Sequence, residues 1–399
     1  MPWKETDAME QRRHFVVRAK QAGANVSELC REFGVSRQSG YRWLRRYAEV
    51  GCLQGLEERS RRPHHSPGRT SEALEQRVEA LRVRYGWGGK KLQVLLEREG
   101  IELASGTIDR ILRRRGLVSP KGRGFSATSR FEWPNPNDLW QMDFKGPPGG
   151  AKSWPWRALS VLDDHSRYVV GLYAVHELSA GAVYGCLVKC FERYGVPSAI
   201  LMDHGTPWWS TTNGHGLTQL SVQLIQQGIR LIYGSVGHPQ TQGKVERFHR
   251  TLEAFLLRQL GLTEQEEAAL WLELFRGEYN HIRPHEALQM QVPAQLYRPS
   301  AQAYQAAPPA YEYPAGSDLR RLNSAGCLDY RGRRYFVCEA LAGQIVRCQE
   351  FDGRVLVSFR HMDIREINLR EGRTTAVVRP SRNERTCHPS PEVDPSPLS

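Results

Sequence analysis

His238-Pro-Gln-Thr-Gln-Gly-Lys-Val-Glu-Arg-Phe-His-Arg-Thr-Leu252 changes from turn to helix part-way along. Pro239 fixes its own φ, and Gly243 can take backbone angles closed to other residues, so the spacing predicts a turn. From Lys244 onward, Val245, Phe248, Leu252 and Phe255 recur at steps of three and four, the stripe of an amphipathic helix. Glu246 lies about 100° round from that stripe, at the edge of the face the helix buries. Lys244, Arg247 and Arg250 frame its carboxylate. A carboxylate in a basic frame suits a divalent cation that must meet a polyanion. An ordinary amphipathic helix with solvated charges has the same pattern, so this stretch decides nothing alone.

Two further carboxylates shift the balance. Leu139-Trp-Gln-Met-Asp-Phe144 alternates as a strand does, with Trp140, Met142 and Phe144 on one face and Asp143 on the other. Ser198-Ala-Ile-Leu-Met202 is a short apolar strand ending at Asp203-His-Gly-Thr. An acid at each of two strand ends and a third on a later helix is how a ribonuclease-H-like domain builds a two-metal site. With Leu162-Asp-Asp-His-Ser-Arg167, His238-Pro-Gln240, Gly243-Lys-Val-Glu-Arg247 and Tyr279-Asn-His-Ile-Arg-Pro-His-Glu-Ala-Leu288, these pieces run in one order across roughly half the chain. Jointly they resemble the integrase-type DDE transposases of bacterial insertion sequences, relatives of retroviral integrases.

The 399 residues are enough for two to four domains with cores of their own. No run of about 18 apolar residues exists, so no membrane span is expected. The start, Met-Pro-Trp-Lys-Glu-Thr-Asp, lacks the apolar segment of a signal peptide. The eight cysteines form no Cys-x-x-Cys pair, and Cys186 and Cys190 read as small core residues, which fits a reducing cytoplasm, a bacterial one as the resemblance implies. Residues 1–130 hold 27 Lys+Arg against 15 Asp+Glu, while the remainder balances at 28 of each. All the excess positive charge therefore sits in the first third, which points to a nucleic-acid-binding front end.

In chain order, residues 1–52 predict a helix-turn-helix domain. A first helix over 9–22 faces Phe15, Val16 and Ala19 inward, a second carries Val26, Leu29, Cys30 and Phe33 and stops at Gly34, and Ser36 caps a third. That third helix buries Trp43, Leu44 and Tyr47 and exposes Arg37, Gln38, Tyr41, Arg42 and Arg45, side chains suited to base edges in a major groove. Residues 53–70 are a linker rich in Pro and Arg in which His64 and His65 are not expected to bind metal. Residues 71–117 repeat the three-helix pattern, with a third helix held by its neighbours or by DNA, and 118–137 form another linker. The catalytic core is expected over 138–297, a linker over 298–318, a small β-barrel over 319–371 and a disordered tail over 372–399. The fold class is thus multidomain α/β: helix-turn-helix units, a central ribonuclease-H-like α/β core and a C-terminal small β-barrel.

Inside the core, Asp163 and Asp164 are expected to shape the turn between two strands rather than bind metal, since Asx residues favour turns. Trp208 and Trp209, in the loop Thr206-Pro-Trp-Trp-Ser-Thr-Thr-Asn-Gly-His215, either stack on an unpaired base or pack inward. His281 and His285 have metal-ligand spacing, but Pro284 between them favours a structural corner. Two features depart from the family pattern. His204 stands where the family usually carries Asn, and 42 residues separate Asp203 from Glu246, a longer interval that the Trp208-Trp209 loop supplies.

The resemblance implies phosphoryl transfer at DNA. Asp143, Asp203 and Glu246 would be catalytic and hold two Mg²⁺ ions, with Mn²⁺ able to substitute. Lys244, Arg247 and Arg250 would hold the phosphate backbone. The partners implied are double-stranded DNA, as element ends and as target, and further copies of the chain in a homo-oligomer on DNA. A catalytically silent DNA-binding regulator and a ribonuclease-H-like nuclease without joining activity are the competing readings.

Overall fold

The computed structural model describes residues 8–58, 69–118, 132–146, 155–210, 216–234, 243–258 and 265–377. The linker histidines His64 and His65, most of the 118–137 linker, the turn at His238 and Pro239, the 211–215 part of the tryptophan loop and the chain beyond 377 lie outside these residues. Two compact units divide the chain, Met1–Glu75 and Gln76–Ser399.

The first unit contains α1 (Ala8–Ala19), α2 (Val26–Glu32) and α3 (Arg37–Val50). Asn25 caps α2, and the Ser36 side chain accepts from Ser39 N at the start of α3. Gly34, at φ +63°, makes the turn between them. Gly40 lets α3 approach its neighbours: a Cβ there would stand 2.5 Å from Cys30 Sγ and 2.8 Å from Phe15 Cζ. Phe15, Val16, Leu29, Cys30 and Trp43 form the core, and the Arg12 guanidinium lies 4.1 Å from the Trp43 ring. Arg37, Gln38, Tyr41, Arg42 and Arg45 are all exposed, as their positions on the helix predict.

The second helical set comprises α4 (Glu72–Tyr85), α5 (Gly89–Arg98) and α6 (Ser105–Arg114). Val78, Leu81, Leu92, Leu96, Ile108, Ile111 and Leu112 close its core.

Next comes a five-stranded sheet in the order β3-β2-β1-β4-β5. Its members are β1 (Trp140–Lys145), β2 (Arg157–Asp163), β3 (Val169–Val175), β4 (Ala199–Met202) and β5 (Arg230–Tyr233). The first three pair antiparallel; β4 and β5 add in parallel beside β1. Period-two alternation sends Trp140, Met142, Leu159 and Val161 to one face. There α7 (Ala180–Tyr194) and α8 (Gln219–Gln226) cover them. Ala158, Leu162, Val169 and Leu172 go to the other face, under α9 (Gly243–Leu256) and α10 (Gln265–His281). The Asn280 amide completes the edge of β3: its Oδ1 accepts from Val169 N at 2.8 Å and its Nδ2 donates to Val169 O at 3.0 Å. That fixes one residue of the Tyr279-Asn-His motif as structural.

Three sequence expectations change downstream. Residues 298–318 are strapped to the core in their first half rather than left as a linker. Ser300 N donates to Tyr194 O, Val196 N to Gln302 O, and Gln227 Nε2 to Gln305 O. The C-terminal segment is an open sheet, not a closed barrel. Its order is β12-β11-β10-β9-β6, and the hairpin β7-β8 pairs only with itself. The strands are β6 (Asp318–Arg321), β7 (Cys327–Tyr330), β8 (Arg333–Phe336), β9 (Ile345–Phe351), β10 (Arg354–Phe359), β11 (Met362–Asn368) and β12 (Arg373–Ala376). Closure is unnecessary because the sheet buries Leu322, Leu328, Val337, Val346 and Ile367 in one cluster with α8 and the central sheet. β12 also reclaims residues 373–376 from the expected disordered tail.

Candidate active site

Each candidate acid comes from a different element. Asp143 lies on the face of β1 opposite Trp140 and Met142, so it points toward α9. Asp203 follows the last residue of β4, beside β1 in the sheet. Glu246 is in the first turn of α9, exposed, while Val245 and Phe248 anchor that helix in the core.

Hydrogen bonds orient both aspartates. Asp203 Oδ1 accepts from Gly205 N at 2.9 Å and from the Trp208 indole Nε1 at 2.7 Å. Gly205 has no side chain to intrude: a Cβ there would lie 2.9 Å from Asp203 Oδ1. Asp143 Oδ1 accepts from Phe144 N at 2.8 Å, and its Oδ2 stands 3.7 Å from His249 Nδ1. His249 Nε2 sits 3.0 Å from Ser160 Oγ, and burial, reinforced by Lys145, holds the imidazole down to about 4, so it is neutral at pH 7. Burial and then repulsion from Asp203 push Asp143 up to about 6; the Phe144 amide opposes that rise and Glu246 adds to it. Asp143 thus feels both other carboxylates. Among the described residues, no three His, Cys, Asp or Glu side chains are gathered closely enough to enclose an ion as they stand.

The donor chemistry fits a hard divalent cation. All three groups are carboxylates, each aspartate keeps Oδ2 outside its fixed hydrogen bonds, and the repulsion felt by Asp143 is what a cation relieves.

Other sequence candidates settle into structural places. Asp163 accepts from Asn137 N, Ser166 N and Ser166 Oγ, and Asp164 from Trp133 N and Gln141 Nε2. Both are fully buried and build the turn. Lys244, expected on the phosphate backbone, turns inward: its Nζ lies 2.6 Å from Asp164 Oδ2 and 3.1 Å from Asp164 O. Arg247 and Arg250 stay exposed beside Glu246. Trp208 and Trp209 are buried, with Trp208 stacked on Phe144 at 5.2 Å, so neither presents a ring to a base. His204 packs against Trp209 and Tyr233, and burial lowers its pKa. His281 is exposed, and His285 is packed edge-on to Tyr279. The orienting roles of Trp208 and His249 escape the sequence reading; an indole five residues after Asp203 and an imidazole three after Glu246 are their only local signals.

Integrase core domain families match residues 134–239 and 227–293, spans that contain Asp143, Asp203 and Glu246. A helix-turn-helix domain family matches 11–64, and a homeodomain-like domain family matches 39–112. An uncharacterized protein of insertion element IS136 from Agrobacterium fabrum is 32% identical over 148 residues, covering 36% of this chain and 73% of that protein. The chain belongs to the integrase-core transposases of bacterial insertion sequences.

An insertion element IS407 protein from Burkholderia multivorans is 26% identical to this transposase over 262 residues, or 62% of this chain and 87% of that protein. The transposase for transposon Tn552 from Staphylococcus aureus is 26% identical over 140 residues, covering 31% of this chain and 28% of its own length. The HTLV-2 integrase catalytic core in complex with magnesium aligns with 41% of this chain and 97% of its own, at 14% identity and a TM-score of 0.32, too loose a likeness to argue from. The homeodomain-like match begins inside α3 and ends inside α6, so it takes in the third helix of the first set and nearly all of the second set of the transposase.

Proposed function

We propose that this transposase cleaves the ends of its element and joins the freed 3′-hydroxyls to target DNA at Asp143, Asp203 and Glu246. The observation that carries the reading is the electrostatic coupling of Asp143 to both Asp203 and Glu246, which brings acids from β1, β4 and α9 into one field. Two Mg²⁺ ions, with Mn²⁺ as substitute, would be held by these three side chains; when bound, such ions activate the attacking water or 3′-hydroxyl and offset charge on the leaving oxygen. Trp208 and Gly205 hold Asp203 in position, and the Phe144 amide does the same for Asp143. Glu246, exposed on a helix anchored by Val245 and Phe248, supplies the third acid. Arg247 and Arg250 position the phosphate backbone without reading sequence.

Recognition of the ends falls to α3, where Arg37, Gln38, Tyr41, Arg42 and Arg45 form an exposed row suited to a major groove. The test is cleavage and strand joining of a labelled element-end fragment with and without Mg²⁺. Metal-dependent cutting followed by joining is expected. Cutting without joining would reduce the protein to a nuclease, and specific binding with no cutting would make it a regulator.

A further inference from the structure

The turn between α4 and α5, Gly86-Trp87-Gly88, meets the far end of α9 and the corner after α10. Gly86 takes φ +71°, and a Cβ on it would lie 2.7 Å from Arg258 Nη1, so Arg258 at the end of α9 packs directly on this turn. Arg98 Nη1 donates to Ile282 O at 3.0 Å, and Ile282 packs against the core of the second helical set. Trp87 stacks on Tyr85 at 4.5 Å and carries the Arg283 guanidinium 5.3 Å from its ring centroid. Between these surfaces runs a cleft of about 850 Å³, far more than one phosphate group fills.

Its walls are cationic. Lys90 and Lys91 come from the first turn of α5, Arg247 and Arg250 from α9, and Arg283 from the corner. The lining carboxylates are Asp109 and Glu286. Asp109 accepts from Gly89 N at 3.2 Å, and Glu286, exposed, stands 4.0 Å from Lys90. Among the described residues, no carboxylate lies within ion-pairing distance of Lys91, Arg247, Arg250 or Arg283. Burial, then Arg283 and, after the opposing pull of Glu286, Arg247, hold Lys91 down to about 8, and burial lowers Arg283 as well. Half-buried cations that repel one another are stabilised by an anion. Here they come from three elements spread along the cleft rather than converging on a point, which suits a chain of phosphates better than a free one.

We propose that this cleft is a DNA-backbone site in which Lys91, Arg247, Arg250 and Arg283 grip the phosphodiesters of the strand that runs to Glu246. The second helical set then acts as a clamp against the catalytic helix and not as a second sequence reader. Arg250 lies one turn beyond Glu246 on α9, so a strand held in the cleft is delivered to the acid. The inference rests on the reading of Glu246 as a catalytic acid, but binding is measurable without catalysis.

The test uses the full chain, a fluorescently labelled duplex of arbitrary sequence, and EDTA to prevent cleavage, with affinity measured across salt concentrations. Each lost phosphate contact lowers the salt slope by about 1 and weakens binding about five- to tenfold near 0.1 M salt. Lys91→Gln and Arg250→Gln should each show both changes, with the preference for element ends over shuffled DNA intact. Lys90→Gln, an exposed change in the same turn of α5, should show the same loss in smaller measure and guards against misfolding of the Lys91 variant. Cleavage by Asp143→Asn in Mg²⁺, read separately from the salt slopes, distinguishes failure of the catalytic reading from failure of the clamp. Unchanged slopes in Lys91→Gln and Arg250→Gln would overturn the proposal. A lost end preference at unchanged slope would also overturn it, by making the second set a reader.

Discussion

Trp208 donates its indole N–H to Asp203 Oδ1 at 2.7 Å and lays its ring 5.2 Å from Phe144, the residue that follows Asp143. One buried side chain therefore bears on both aspartates, through a hydrogen bond to one and by packing beside the other. Trp208→Phe keeps an aromatic ring beside Phe144 and removes the donor together with part of the buried indole. A hydrogen bond to a charged group contributes about 1.5–3 kcal/mol. If Asp203 must be oriented for reaction, the rate of end cleavage should fall roughly 10- to 100-fold in a chain that circular dichroism shows to be folded. Trp208→Ala should instead destabilise the core by about 3–5 kcal/mol. Normal cleavage by Trp208→Phe would show that the indole only packs.

Asp164 and Lys244 form a buried link between the β2–β3 turn and the first turn of α9. Removing the Asp164 carboxylate takes a buried acceptor from Trp133 N, Gln141 Nε2 and Lys244 Nζ, at a cost of about 3–5 kcal/mol. Asp164→Ala should lower the denaturation midpoint accordingly. Asp164→Asn keeps hydrogen bonds to Trp133 N and Gln141 within reach and should retain Mg²⁺-dependent cleavage. Complete loss of activity in Asp164→Asn, with the fold intact by circular dichroism, would place a metal ligand at 164.

The central sheet was legible because its strands carry strong, simple signals. Trp140–Phe144 alternates, and 158–162 and 199–202 are apolar runs bounded by turns; Asp203 falls where β4 ends, whereas Asp143, expected at a strand end, sits inside β1. Asp163 and Asp164 read as turn residues, and they bond to the turn and to the segment leading into β1. The Lys244 pairing with Asp164 was not legible, because it joins residues 80 apart in sequence through the tertiary fold. The C-terminal barrel expectation failed for a related reason. Alternation and Asp-Gly turns specify hairpins, but whether a sheet closes depends on what else covers its face, and here α8 does so. The cationic cleft was hidden too: Lys91, Arg250 and Arg283 are ordinary surface charges until α5, α9 and the corner meet.

His285 offers a stability test by pH. Burial chiefly, with Arg283, Lys91 and Arg167 adding to it, depresses its folded pKa to about 3, and its ring packs 4.7 Å from that of Tyr279. Below its unfolded value near 6.5, the unfolded chain binds a proton that the folded one refuses. The neutral imidazole's contribution is therefore complete above about pH 6.5 and is lost as pH falls toward 3. Between pH 7 and pH 5 the protein should lose about 2 kcal/mol more than His285→Gln does, read from urea denaturation at both pH values. Parallel pH profiles for the two proteins would contradict this.

The most direct measurement of the central claim is strand cleavage and joining by Asp143→Asn, Asp203→Asn and Glu246→Gln, run beside the parent protein in Mg²⁺. Each substitution keeps size and hydrogen bonding and removes one charge from the coupled set. One site performs both steps with the same ions, so each variant should lose cleavage and joining together, to below about 1% of the parent rate. Gel-shift binding of the element ends should persist, since α3 lies in the other compact unit. Full cleavage or joining by any one of the three, at undiminished DNA binding, would contradict the assignment of that residue and with it the three-acid site.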